Sequence, residues 1–154
     1  MKKMFILLMA IGMLALTGNA MASGNNTLTV SASVTGTCKF VSTTSTLSFG
    51  ALDPSSSSDV NGSSSTTFWC TKGVTTDAVA ADNGGNWSGS SRQIKDSVSG
   101  DLIPYSLTLT KDANPNAGPS SPRTLTISGT ILNADYTSKT AGSYADTVTL
   151  SINP

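Results

Sequence analysis

Thr27-Leu28-Thr29-Val30-Ser31-Ala32-Ser33-Val34 alternates hydroxylated and apolar side chains with a strict period of two. A strand sends successive side chains to opposite faces, so Leu28, Val30, Ala32 and Val34 form one apolar stripe. The same rhythm returns in Leu125-Thr126-Ile127-Ser128-Gly129-Thr130-Ile131, where Gly129 suggests a bulge. It returns again near the end, where Tyr144, Val148, Leu150 and Ile152 share a face opposite Ala145, Thr147, Thr149 and Ser151. Between these lie Cys38-Lys39-Phe40-Val41 and Leu47-Ser48-Phe49, which read as strands, and 53–65, which reads as loop from Asp53-Pro54, a serine run and Asn61-Gly62. Residues 66–70, 75–81, 92–95 and 102–110 complete the set of strand signals. Pro104 assigns the start of the 102–110 segment to an edge or bulge. No segment beyond residue 22 carries an amphipathic helix pattern. Seven or eight short strands joined by turns predict an all-β chain, an antiparallel Ig-like β-sandwich.

The first residues set the compartment. Lys2 and Lys3 precede an apolar run over 5–16, and Ala20-Met21-Ala22 supplies small residues where a signal peptidase reads. Residues 1–22 are therefore expected to be a signal peptide, and the rest an exported domain. Without Lys2 and Lys3, seven basic side chains face nine aspartates, a formal charge of −2. No basic field is available for nucleic acid. Cys38 and Cys70, the only cysteines, are expected to form one disulfide in an oxidising compartment. Its loop of about 32 residues would restrict the unfolded chain by about 3.7 kcal/mol.

Chemistry finds little purchase. The chain has no histidine and no glutamate, so an imidazole base is excluded and a metal site at Cys38 and Cys70 lacks further soft ligands. The nine aspartates fall mostly at predicted turns, where such side chains cap the backbone. Neither a catalytic residue, nor a metal ligand, nor a cofactor is expected. Of the two tryptophans, Trp69 is expected to pack on the disulfide and Trp87 to stand in an exposed Gly/Asn/Ser loop. Trp87 supports an alternative reading, a monomeric exported β-sandwich that binds a glycan or surface ligand.

The opening strand has two readings. Its period fits an edge strand of its own sandwich as well as a strand donated to another sheet. Thr35-Gly36-Thr37 after it reads as a flexible joint. A resemblance bears on the choice: Leu47-Ser48-Phe49-Gly50-Ala51-Leu52-Asp53-Pro54, then Cys70-Thr71-Lys72-Gly73, then Leu102-Ile103-Pro104-Tyr105-Ser106-Leu107, and Ala141-Gly142-Ser143-Tyr144-Ala145-Asp146-Thr147-Val148-Thr149-Leu150-Ser151-Ile152 stand in this order. Taken together they resemble the spore coat protein U domain family, which includes subunits of archaic, Csu-type chaperone–usher pili. The resemblance implies an incomplete Ig-like domain over 36–154 that lacks one strand, preceded by a donor strand over 23–35. It implies that Leu28, Val30, Ala32 and Val34 fill a groove on the next subunit, with Val148, Leu150 and Ile152 lining that groove. The implied partners are further pilus subunits in a head-to-tail polymer, a periplasmic chaperone and an outer-membrane usher. The implied location is the cell surface, and the implied role is adhesion and biofilm formation.

Overall fold

Phe68, Leu125, Ile103 and Ile131 are fully buried, and the strands that carry them form the body of the fold. In the computed structural model, residues 23–154 are described; the expected signal peptide lies outside them. The strands are β1 (Cys38–Phe40), β2 (Val60–Cys70), β3 (Ala78–Ala81), β4 (Arg92–Asp96), β5 (Leu102–Lys111), β6 (Arg123–Ile131), β7 (Tyr144–Ala145) and β8 (Leu150–Asn153), with one short helix, α1 (Asn133–Tyr136), after β6. All pairings are antiparallel. One sheet runs β1-β2-β6-β5-β4-β7 and the other consists of β3 and β8. Val79, Leu150 and Ile152 of the small sheet pack on Phe68, Cys70 and Leu125 of the large one, so the two face each other across a shared core. The expected all-β, antiparallel sandwich is what forms.

Local propensity loses to the ladder in one place. Residues 60–65, expected as loop, belong to β2, which pairs continuously with β6 from Val60↔Ile131 to Phe68↔Arg123. Serine favours turns because its hydroxyl competes for nearby backbone groups. A paired backbone satisfies those groups better, and Ser64 and Thr66 simply take the inner face. Gly62 stands opposite Gly129 in unbroken register, so Gly129 marks no bulge. Both glycines are needed for another reason. A Cβ on Gly62 would lie 2.8 Å from the Ser48 carbonyl oxygen, and one on Gly129 2.9 Å from Cζ of Phe49. The two leave a dip into which residues 47–49 settle.

Residues 47–49 themselves form no strand, contrary to expectation. Among the described residues, no backbone group of 42–52 bonds another backbone group. A strand is defined by the backbone it pairs with, and 47–49 pairs with none among the described residues. The expected last strand is divided for a related reason: β7 pairs with β4 and β8 with β3, with 146–149 between them. Pro104 matches its expectation, falling in the part of β5 paired with β4 alone. Trp69 does not: it stands opposite Lys39, on the face away from its neighbours Phe68 and Cys70.

Cys38 and Cys70 form a disulfide between β1 and β2. The preceding joint is pinned rather than loose. The Thr71 amide donates to the Thr37 carbonyl at 2.8 Å, and the Thr37 amide donates to the Thr71 hydroxyl oxygen at 3.0 Å. The chain divides into two units, 1–33 and 34–154. In the described part of the first, residues 23–33 form no helix or strand and are exposed.

Candidate functional site

An open cleft of about 1550 Å³ runs along the second unit. Its floor is apolar, built from Ile94 of β4, Ile103, Tyr105 and Leu107 of β5 and Ile127 of β6. Alternation along β5 and β6 puts these side chains inside while Thr108, Thr126 and their like face out. One rim is β1 continued by 42–52; the other is 145–149 continued by β8. β1 and β8 each have a single strand partner. Both rims therefore carry an unpaired backbone edge, the kind of edge that templates a further strand. The ring of Phe49 meets that of Tyr105 on the floor, centroids 6.0 Å apart and tilted by 60°.

Polar bonds hold the C-terminal rim. The Asp82 amide donates to the Thr149 carbonyl at 3.0 Å and the Gly85 amide to the Thr147 carbonyl at 3.1 Å. The Thr149 amide returns a bond to the Asp82 carboxylate at 2.9 Å. That bond, with a second from the Gly84 amide, holds Asp82 below the usual carboxylate range. These bonds use alternate backbone groups. Val148, between them, makes no backbone hydrogen bond among the described residues. Asp146 accepts from the Gly85 amide at 2.9 Å, from the Asn86 side chain at 3.1 Å and from the Tyr105 hydroxyl at 2.8 Å. Burial first, and then this bond to Asp146, push the Tyr105 phenol well above its ordinary range.

Val148, Leu150 and Ile152, expected from sequence as groove residues, line this cleft, and Cys38 lies at its β1 end. Leu28, Val30 and Val34 are 82%, 83% and 86% exposed, and Ala32 is exposed with them. Nothing covers that stripe among the described residues. Sequence reading did not find the floor residues Ile94, Ile103, Tyr105, Leu107 and Ile127, although the alternation of 102–110 carried the signal for three of them. Asp146 was passed over as a turn aspartate; its place between two apolar-alternating positions, Tyr144 and Val148, was the available sign.

A family model, the spore coat protein U domain, matches residues 25–151. The chain belongs to that family. The match takes in Leu28, Val30, Ala32 and Val34 as well as the cleft rims up to Ser151, so the alternating segment falls within the spore coat U domain match. Among solved structures, the chain is similar to a chain of the CsuC–CsuE chaperone–tip adhesion subunit pre-assembly complex from archaic chaperone–usher Csu pili of Acinetobacter baumannii, at 17% identity and a TM-score of 0.46. That similarity covers 77% of this chain and 40% of the other. No curated protein matches the sequence.

Proposed function

We propose that this spore coat U domain is a structural subunit of a chaperone–usher surface pilus, polymerising by donor-strand complementation. The cleft carries the reading: two unpaired backbone edges flank an apolar floor with room for a strand, while the same chain carries an exposed strand-patterned segment of matching character. In the polymer, residues 27–34 of one copy lie in the cleft of the next. Leu28, Val30, Ala32 and Val34 face the floor, and their backbone bonds the open rims beside Val148, Leu150 and Ile152. Burial of Leu28, Val30 and Val34 contributes about 1.5–3 kcal/mol each, with Ala32 adding less. The ladder satisfies backbone groups otherwise left to water. The contact is heterologous, so it propagates as an open, head-to-tail fibre. Before assembly the cleft requires a substitute strand, the task of a periplasmic chaperone, and an outer-membrane usher is the site of exchange. The fibre serves adhesion and biofilm formation at the cell surface.

Unboiled surface material should run as a ladder of multimers in SDS gels. Deleting residues 24–34 should abolish the ladder and leave a chaperone-bound monomer. A deleted form that folds alone and matches the full chain in stability would sink the reading. Val30→Asp places an unpaired charge on the floor and should stop assembly as well.

A further inference from the structure

Trp87 belongs to neither the core nor the cleft. It is 41% exposed, in the loop between β3 and β4. It borders a second, shallower hollow of about 460 Å³. This hollow lies across β5 from the cleft: Pro104 and Ser106 line it and not the cleft, Ile103 lines the cleft and not the hollow, and Tyr105 and Leu107 border both. Leu132, 53% exposed, Asp135, Ser90 and Ser91 complete its wall.

The polar groups decide what fits. The Asp135 carboxylate and the Ser90 and Ser91 hydroxyls make no side-chain hydrogen bond among the described residues. Arg92, the cation at the hollow, is already engaged: its Nε donates to the Asp82 carbonyl at 2.8 Å and its Nη2 to the Ala81 carbonyl at 3.2 Å. Its partners are neutral carbonyls, so its charge stands against that of Asp135 and the hollow favours neither an anion nor a cation. A wholly apolar ligand would dry the carboxylate and hydroxyls without replacing their water bonds. A neutral ligand with one C–H face and a rim of hydroxyls satisfies all of them, stacking on the indole and donating to the carboxylate. The volume lies within the roughly 300–1,000 Å³ of small-molecule sites, suited to one or two sugar rings.

We propose that the Trp87 hollow is a binding site for a neutral hexopyranose unit of a glycan, with Trp87 as platform and Asp135 as hydroxyl acceptor. The proposal stands independently of how the cleft is filled. Isothermal titration calorimetry on the secreted full-length protein, with cellobiose, maltose, lactose and N,N′-diacetylchitobiose as probes, tests it. At least one probe should bind saturably. Trp87→Ala and Asp135→Asn should each weaken that binding at least about tenfold, while Trp87→Phe, which keeps a ring face, should retain most of it. Circular dichroism of the variants checks their folding, and Asp135→Asn serves alone if the tryptophan variant does not fold. Absence of saturable heat with all four probes overturns the proposal. So does sugar binding that neither Trp87→Ala nor Asp135→Asn reduces.

Discussion

The two ends of the core are closed in opposite ways. Around Phe68, Cys70 and Leu125 the sandwich is stapled by Cys38–Cys70 and sealed by Arg123. That guanidinium, nearly buried, bonds Asp77 at 2.6 Å and Asp112 at 2.9 Å and lies 5.2 Å over the Phe68 ring. Lys111 adds a further ion pair to Asp77 at 2.8 Å. Around Ile103, Tyr105, Ile131 and Tyr136 the core is instead roofed by 47–49 and Val148, segments with no strand partner. Covalent and ionic closure at one end lets the other remain open. The cleft touches both ends, since Cys38, Phe40, Leu150 and Ile152 line it and also pack on the stapled end.

Breaking the closed end should cost most. Arg123→Ala leaves Asp77 buried with only Lys111 for a partner, a loss of about 3–5 kcal/mol that denaturant unfolding would read as a collapsed midpoint. Cys38→Ala with Cys70→Ala should cost about 3.7 kcal/mol by the same measurement. At the open end the effect shrinks. Tyr105→Phe removes one of the bonds to Asp146 and should cost about 1 kcal/mol. That variant should also release the C-terminal rim, seen as faster amide exchange at Gly85 and Thr149.

The ends also answer to pH differently. Burial works against the charge on Asp77, but the Lys111 hydrogen bond and the charges of Lys111 and Arg123 outweigh it and hold its carboxyl below the ordinary range. The Thr124 amide and then Arg123 do the same for Asp112. A lowered folded value means stability that is fully present above the unfolded value near 3.9 and lost as pH falls through the folded one. Asp82 on the rim shares this direction, so acid below about pH 4 should loosen both ends. Tyr105 moves the other way. Its raised value means stability present below about pH 10 and lost as pH climbs further, at the cleft end. Thermal melts across that alkaline range should fall for the natural chain and fall less for Tyr105→Phe, in which Tyr144, whose value is also raised, remains. An equal fall in both would separate the alkaline loss from Tyr105.

Periodicity made the sandwich legible: the faces of β6, of β5 and of the Tyr144-to-Ile152 segment all follow the alternation in the sequence. It reports which side a residue faces and nothing about what lies beside the backbone. That is why 47–49 reads as a strand yet pairs with nothing, and why β7 and β8 read as one strand but join two sheets. The serine run of β2 was hidden because its turn chemistry is local and its ladder with β6 is not. Gly129 showed that a special backbone position was needed, but only the register opposite Gly62 and the ring of Phe49 say for what. Val148, Leu150 and Ile152 were readable as one apolar face; the floor beneath them depends on β4, β5 and β6 meeting in space, which no local pattern encodes.

The junction at residues 35–37 has a mechanical meaning. A chain pulled at Val34 transmits tension into Thr35 and Thr37, both bonded to Thr71, and then at once into Cys38, which is covalently tied to β2. The load bypasses the short β1 ladder and enters the longest strand of the sheet directly.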